Sequence, residues 1–266
     1  MKIGISIGLH KLPLFDDLYR DFSINHIQLG AFSPDKSDLN EMIKIISLFR
    51  ANYPDIEISH HAYPYNLAEK VDVVRKLWVD LAKRNIEFAQ QIGCSFVNLH
   101  LGAGIDAAKR EDRGAILETI VVGLSEIVDL AHIHRMQVHI ENLYPEQRCS
   151  DFSWIGDRTS DFDFVFENIK SDNLKLCYDY GHGNLDEHGI DILKKHAGRL
   201  GSTHSHDNDQ ISDIHWPIGV EGRGTINWEA EVEYLKNIAF DGPFILESYY
   251  EDQIQSLNYL HALGIV

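Results

Sequence analysis

Short apolar segments alternate along this chain with longer segments of helical period, and this alternation restricts the fold more than any other feature. Strands that alternate with helices run parallel, because each helix carries the chain back across the sheet in a right-handed crossover. Eight segments have the length and composition of buried strands: 2–8, 26–31, 55–63, 95–102, 136–144, 174–182, 201–208 and 242–250. The pattern therefore predicts a parallel sheet covered by helices.

Segments of helical period fill the intervals between these strands. We predict helices at roughly 14–22, 37–53, 68–93, 113–134, 159–170, 186–198, 227–239 and 252–263. Eight strand–helix units in about 250 residues are typical of a (β/α)8 barrel. No linker or low-complexity segment divides the chain, so we predict an α/β fold made of a single (β/α)8 TIM barrel domain over residues 1–266.

An open, doubly wound sheet is the alternative arrangement of the same elements. Such a sheet more often carries a glycine-rich phosphate loop after its first strand. The corresponding stretch here reads "SIGLHKLPLF" and contains no GxGxxG pattern. The glycines of "GVEGRGT" at 219–225 come late in the chain and are more simply explained as loop turns. The barrel is therefore the favoured interpretation.

The charge balance narrows the class of partner. The chain has 41 acidic and 24 basic residues, which gives a net charge of −17. Such a field repels polyanions, whereas binding to a nucleic acid depends on Lys and Arg that neutralise phosphates. No apolar run approaches the ~18 residues of a membrane-spanning helix. We therefore expect neither a nucleic acid nor a membrane as the main partner.

The cysteines and the first residues indicate the compartment. Cys94, Cys149 and Cys177 are odd in number and far apart, as expected of free thiols in a reducing environment. The opening stretch "MKIGISIGLHKL" has no long apolar region and no small-residue cleavage site, so we interpret it as the first strand. These features predict a cytoplasmic protein.

Ionisable residues collect where the predicted strands end, which is the rim at which (β/α)8 barrels build their active sites. The third to eighth strands each contribute at least one of them: His60 and His61, His100, Glu141, Asp179 with His182, His204 with His206, and Glu247. A single histidine or carboxylate at a strand end usually has a structural role or begins a solvated loop. Agreement among six strands indicates a shared site.

Carboxylates this close together would repel one another and raise their own pKa values. A metal cation removes that conflict, and imidazole with carboxylate is a ligand set for Zn, Mn, Co or Fe. His204 and His206 have the same parity, so both can face the barrel axis. The pair Asp213 and His215 lies two residues apart on the loop after the seventh strand, a spacing suited to chelation. The sequence therefore predicts a metal site.

The ordered pieces "SHHAYPYNL", "VNLHLG", "IEN", "YDYGH", "HSHDN", "DIHWPIG", "EGRGTINW" and "ILES" resemble the xylose isomerase-like barrels. That family includes endonuclease IV and the sugar-phosphate isomerases and epimerases. No single piece is specific, but eight in the same order cover nearly the whole chain. The resemblance implies a divalent metal ion, with Zn or Mn favoured and Co or Mg as alternatives.

The resemblance also implies roles for individual residues. The four-ligand metal site of the family corresponds to Glu141, Asp179, His204 and Glu247. Ligands of a second metal in endonuclease IV correspond to His61 and His100, together with Glu141, and ligands of its third metal correspond to His182, Asp213 and His215. The spacing of "HHAYPYNL" leaves His60 as an alternative to His61, and "HSH" leaves His206 as an alternative to His204. We prefer His204 as the ligand and place His206 near the substrate.

Two functions are compatible with this set of residues. The first is a metal-dependent isomerase or epimerase of a sugar or sugar phosphate, acting through an enediolate with Glu141 and Glu247 as the acid and base. The second is an endonuclease IV-like phosphodiesterase that cleaves DNA at abasic sites. The rim carries few cations, only Lys36, Arg148, Arg158 and Arg223, whereas a DNA groove needs several phosphate contacts. We therefore expect a carbohydrate substrate.

Overall fold

Eight parallel strands close into a barrel in the computed structural model, which describes residues 1–30, 39–105, 110–145, 152–220 and 222–265. They are β1 (Lys2–Ile7), β2 (His26–Leu29), β3 (Glu57–His61), β4 (Phe96–Leu99), β6 (Gln137–Glu141), β8 (Leu174–Asp179), β9 (Leu200–Ser205) and β10 (Pro243–Leu246). Around the barrel their order is β1, β10, β9, β8, β6, β4, β3, β2, and β2 pairs with β1. The predicted (β/α)8 barrel is confirmed.

Helices cover the outside of the barrel. They are α1 (Phe15–Tyr19), α2 (Leu39–Asn52), α3 (Asp72–Gln91), α4 (Arg110–Ile133), α5 (Thr159–Asn168), α6 (Tyr180–Asn184), α7 (Gly189–His196), α8 (Trp228–Asn237) and α9 (Gln253–Ala262). Two 3-10 helices, Leu9–Leu14 and Ala197–Arg199, adjoin α1 and α7. Among the described helices, none combines the length and apolar character needed to cross a membrane.

The predicted sixth strand is wrong beyond Asp179. The chain turns there into the one-turn helix α6, because the Oδ1 atom of Asp179 accepts a hydrogen bond of 2.8 Å from the backbone N–H of His182. A carboxylate in this position satisfies an otherwise free amide at the start of a helix. The seventh strand also ends earlier than predicted, at Ser205, so His206 follows the strand instead of ending it.

A small antiparallel sheet beside the barrel mouth was not predicted. It pairs β5 (Ala103–Ile105) with β7 (Phe152–Trp154), which lie on the loops after β4 and β6. The buried guanidinium of Arg113 on α4 fixes its position through hydrogen bonds to Ser153 Oγ at 3.1 Å and to the carboxylate of Asp161 at 2.8 Å. A buried charge is tolerated when it is paired in this way. Cys149, Lys36 and Arg148 lie outside the described residues.

Three stacked rings fill the lower end of the barrel. The ring of Phe96 lies 3.8 Å from the ring of His139 and 5.4 Å from that of His26, and both pairs are nearly parallel. His26 Nε2 is 2.8 Å from Ser59 Oγ, and His139 Nδ1 is 2.8 Å from Ser202 Oγ. Burial lowers the pKa of His26, although the neighbouring Glu57 acts in the opposite direction. Burial also lowers the pKa of His139, so both buried imidazoles are neutral in the folded protein.

We predict that His26→Gln reduces the dependence of stability on pH between pH 7 and pH 5. Because the pKa of His26 is lower in the folded protein than in the unfolded chain, its contribution is complete above about pH 6.5 and is lost as the pH falls. Each pH unit below that value costs at most about 1.4 kcal/mol per such histidine. Urea unfolding of metal-free protein at several pH values measures the slope. Equal slopes for the variant and the wild type would contradict the prediction.

Candidate metal centre

Six barrel strands and the segment after β9 bring ten ionisable side chains together at the mouth of the barrel. We call them the mouth cluster: His61, His100, Glu141, Asp179, His182, His204, His206, Asp213, His215 and Glu247. All ten are among the residues singled out from the sequence. The side chains of His182, His204, His206 and Asp179 are buried, and those of Glu247 and Asp213 are 19% and 24% exposed. The cluster is therefore deep but open to small molecules from one side.

Four residues form the centre of the cluster. Potential ligand atoms of Glu141, Asp179, His204 and Glu247 all lie within 4.8 Å of one another. The Nδ1 atom of His204 is 2.8 Å from Glu247 Oε2 and 3.3 Å from Glu141 Oε2. The same nitrogen is 3.7 Å from Asp179 Oδ2. Three carboxylates therefore surround one imidazole nitrogen, a geometry that can enclose a cation.

A second group of imidazoles flanks Glu141. His61 Nε2 lies 3.3 Å and His100 Nε2 lies 3.4 Å from the Oε2 atom of Glu141. The two rings meet edge to face, with their centroids 5.1 Å apart. His60 faces away from the mouth: its Nδ1 atom is 3.3 Å from the carbonyl oxygen of Leu29, and burial lowers its pKa to about 3. Of the two adjacent histidines, the structure brings His61 into the cluster.

A third group lies on the other side of Asp179. His206 Nε2 is 3.2 Å from Asp179 Oδ1, and its ring stacks on that of His215 at 3.9 Å. Asp213 bridges this group, because its Oδ2 atom is 3.4 Å from His182 Nε2 and its Oδ1 atom is 3.5 Å from His215 Nε2. His206 therefore belongs to the cluster itself, next to a carboxylate of the central group.

Two buried residues that the sequence analysis did not assign to the site hold this arrangement in place. The side-chain amide of Asn142 donates to the backbone oxygen of Asp179 at 3.0 Å and accepts from its backbone N–H at 2.6 Å. The backbone oxygen of Asn142 lies 2.9 Å from Nδ1 of His182, which leaves Nε2 facing Asp213. Asn98 donates to Glu141 Oε2 from below. The sequence contained one sign of their role: Asn142 follows Glu141 in "IEN", and Asn98 stands two residues before His100 in "VNLHLG".

Glycine at position 181 lets α6 approach the cluster closely. A Cβ atom at this position would lie 1.9 Å from Cε1 of His206, so any larger residue would displace the imidazole.

Asp207 anchors the segment that carries Asp213. Its carboxylate accepts hydrogen bonds of 2.8 Å from the backbone N–H of Thr225 and from Trp228 Nε1. Both ends of that segment are thereby fixed to the barrel.

Opposite charges in the cluster shift several pKa values. Burial acts to raise the pKa of Glu141, but His204 and His100 hold it well below its usual range. Burial acts to lower the pKa of His182, but Asp179 and Asp213 raise it to about 10. The pKa of His215 is raised to about 9, chiefly by Asp213 and against the effect of burial. In each case an opposite charge nearby stabilises the charged form, which lowers the pKa of the carboxyl group and raises the pKa of the imidazoles.

The same atoms fit a divalent cation. Within the described residues, seven buried atoms of the cluster make no hydrogen bond of normal geometry, although a charged side chain lies near several of them: His100 Nε2, Asp179 Oδ2, His204 Nδ1 and Nε2, His206 Nδ1 and Nε2, and Asp213 Oδ1. An unsatisfied buried polar group costs about 1–3 kcal/mol. Imidazole nitrogens and carboxylate oxygens are the ligands that Zn and Mn accept. The atoms without a regular hydrogen bond and the negative charge of four neighbouring carboxylates both favour a bound metal ion.

Fold and site together define a (β/α)8 barrel with a potential metal-binding mouth. The family described as "Xylose isomerase-like TIM barrel" matches residues 19–263, and the chain belongs to this family. An uncharacterized protein of Methanocaldococcus jannaschii is 30% identical over 213 residues, which cover 77% of this chain and 69% of that protein. Both the family and the fold expected from the sequence are therefore confirmed.

Two further similarities are to proteins of different kinds. A crystal structure of a D-tagatose 3-epimerase-like protein has a TM-score of 0.83 and 27% sequence identity, and the match covers 100% of this chain and 98% of that one. A probable endonuclease 4 of Thermotoga petrophila is 26% identical over 136 residues. That match covers 51% of this chain and 43% of the relative, so this chain spans less than half of that protein.

We predict that Asn142→Ala lowers the affinity of the protein for Zn by about 10- to 100-fold, the usual effect of removing a residue that orients metal ligands. The variant loses both hydrogen bonds that hold the backbone of Asp179. Competition with a chromophoric chelator measures the affinity. Asn52→Ala, an exposed change on α2, is the control. An unchanged affinity in a correctly folded Asn142→Ala protein would refute this role.

Proposed function

We propose that the protein is a divalent-metal-dependent isomerase or epimerase of a sugar. The observation that carries this proposal is the position of Glu141 and Glu247, which lie 3.3 Å and 2.8 Å from the same nitrogen of His204. They come from β6 and from the end of β10, which are separated in the barrel by β8 and β9. Two carboxylates from different walls thus face one small volume.

Such a pair can transfer a proton across a substrate. One carboxylate removes the proton from the carbon next to a carbonyl group, which leaves an enediolate, and the other returns a proton from its own side. Return to the same carbon gives an epimer, and return to the former carbonyl carbon gives an isomer. The lowered pKa values of Glu141 and Glu247 favour the ionised form of both groups, so either can accept the proton, and the group on the other side must first take up a proton from water or from a substrate hydroxyl group before it can return one.

The central group of Glu141, Asp179, His204 and Glu247 would hold the metal ion, with Zn or Mn favoured and Co or Mg as alternatives. A divalent cation supplies Lewis-acid stabilisation of negative charge that develops on substrate oxygens. His182 and His206 line the same space and can contact sugar hydroxyl groups. Asn98 and Asn142 keep the Glu141 carboxylate and the backbone of Asp179 in place.

A neutral sugar suits the charges around the mouth better than a sugar phosphate. The side chain of Lys11 pairs with Glu251 at 3.3 Å, and that of Arg158 lies 3.5 Å from Asp157. These cations are therefore already partly neutralised. The net charge of −17 opposes an anionic substrate as well. The similarity to the D-tagatose 3-epimerase-like protein over the full length of this chain supports a carbohydrate as the substrate class.

We expect the metal-reconstituted protein to exchange a carbon-bound proton of at least one ketose with D2O. Glu141→Gln and Glu247→Gln should each slow this exchange by about 10²- to 10⁴-fold, the usual contribution of a general acid or base. Proton NMR of a panel of neutral ketoses measures the exchange. Glu87→Gln, an exposed change on α3, removes the same charge far from the mouth and should have no effect. Undiminished exchange in both mouth variants would exclude the two-carboxylate mechanism.

A metal-dependent phosphodiesterase acting on abasic DNA is the second candidate. The observation that favours it is the presence of further potential ligands on both sides of the central group: His61 and His100 on one side, and His182, Asp213 and His215 on the other. Such enzymes use several metals to activate water and to stabilise the phosphate. The partial similarity to the probable endonuclease 4 points in the same direction.

Metal stoichiometry and DNA incision distinguish the two candidates. We expect one tightly bound ion per chain and no metal-dependent cleavage of a duplex that contains an abasic site. Elemental analysis of reconstituted protein gives the first quantity, and a gel assay with labelled duplex gives the second. Three ions per chain, together with incision that Glu247→Gln abolishes, would establish the phosphodiesterase and reject the epimerase.

A further inference from the structure

Glu247 lies just beyond the end of a strand, where the barrel sheet no longer fixes its backbone. β10 ends at Leu246, and the ladder that joins β10 to β1 ends at the same residue. The backbone N–H of Glu247 still donates to the oxygen of Ser205 at 3.1 Å, and its own backbone oxygen lies 2.5 Å from Nδ1 of His215. The direction in which the chain leaves the barrel then depends on what holds the next residue, Ser248.

The side-chain amide of Gln253, the first residue of α9, holds Ser248. Its Nε2 atom donates to the backbone oxygen of Ser248 at 3.2 Å and to that of Ser6 at 2.6 Å. Ser6 belongs to β1, and Ser248 follows β10, so one amide group joins the first and last strands of the barrel where their ladder has ended. The side chain thus replaces a backbone contact at the point where the barrel closes.

A third hydrogen bond determines which way the amide faces. Its Oε1 atom accepts a hydrogen bond of 2.5 Å from the hydroxyl group of Tyr19 on α1. Gln253 is fully buried and Tyr19 is 1% exposed, so water does not compete for these contacts. A primary amide has one acceptor oxygen and two N–H donors, which matches one hydroxyl group and two carbonyl oxygens. Tyr19 therefore directs the nitrogen of the amide towards the two strands.

Other side chains of similar size cannot make this set of contacts. A glutamate at position 253 would place an acceptor oxygen against one or both carbonyl oxygens, and a methionine would leave buried polar groups without partners. The backbone of Gln253 is fixed as well, because its N–H and that of Asp252 both donate to the oxygen of Tyr249, at 3.2 Å and 2.8 Å. Only this short turn separates the amide from Glu247.

We propose that Gln253 is a positioning residue for Glu247 and that Tyr19 orients it. By holding the backbone after β10 against β1, the amide keeps the Oε2 atom of Glu247 at 2.8 Å from Nδ1 of His204. Without the amide, the end of β10 can move and the central group becomes wider, although no ligand is lost. This inference rests on the function proposed above only for the metal-holding role of Glu247.

Crystal structures of the metal-free wild type and of metal-free Gln253→Glu test the positioning directly. We expect the distance between Glu247 Oε2 and His204 Nδ1 to differ by more than about 0.5 Å, the tolerance within which the groups of a functional site are held. Gln255→Glu makes the same chemical change at an exposed position of α9 and should leave this distance unchanged. A carboxylate of Glu247 that stays in place in Gln253→Glu would overturn the proposal.

The affinity for Zn, measured by competition with a chromophoric chelator, tests whether Gln253 acts through Glu247. We expect Gln253→Glu to lower the affinity about tenfold or more, as changes behind metal ligands do. In a chain that already carries Glu247→Gln, the same change should alter the affinity by no more than about twofold, because residues that act through one another are not additive. Gln255→Glu should stay within about twofold of the wild type.

An equal loss of affinity in both backgrounds would show that Gln253 stabilises the barrel as a whole, and the positioning role would be wrong. If Glu247→Gln alone leaves the affinity unchanged, the metal role proposed for Glu247 fails, and the crystal structures still decide the role of Gln253. Circular dichroism and the thermal midpoint confirm that each variant is folded. Tyr19→Phe replaces a Gln253→Glu protein that does not fold, since it removes only the bond that orients the amide.

Discussion

Four carboxylates are confined together at the mouth of the barrel, and their mutual repulsion must be balanced by positive charge. Glu141, Asp179, Asp213 and Glu247 each lie within 4 Å of at least one imidazole nitrogen. Without a metal, protons on the imidazoles supply the balance, which explains why the pKa values of His182, His204 and His215 are raised. A divalent cation can replace those protons, because the same nitrogens and oxygens are its ligands.

This balance depends on where the strands end. Parallel strands place their carboxyl ends on one rim, so residues far apart in the chain converge without long loops. Register determines which side chains participate: His61 faces the mouth and His60 faces the helices, although the two are adjacent in sequence. The asparagines below the rim then limit the movement of the charged groups. Once the barrel has closed, few additional contacts are therefore needed to hold these side chains in place.

The sequence was sufficient to predict the barrel and the membership of the mouth cluster. Periodicity predicted the strands, and residue type at the strand ends indicated eight of the ten ionisable groups. The two-residue spacing on the loop after the seventh strand indicated Asp213 and His215, and the choice between His60 and His61 stayed open. The sequence did not predict α6, since that helix starts through a hydrogen bond between Asp179 and a backbone amide three residues later. The strands β5 and β7 were also missed, because three-residue strands held by a buried arginine have no periodicity to detect. Asn142 and Asn98 act through hydrogen bonds between strands, which a single sequence does not show.

The ring stack at the lower end of the barrel has a kinetic consequence. His26, Phe96 and His139 fill the interior there, and none is more than 4% exposed. Ions and water that enter or leave the mouth cluster must therefore pass through the upper opening, between the loops that follow the strands. The rate of exchange of a bound metal would then depend on the width of this opening, whereas the strength of its binding would depend on the side chains beneath it. The affinity for a metal and its residence time could consequently change independently of each other.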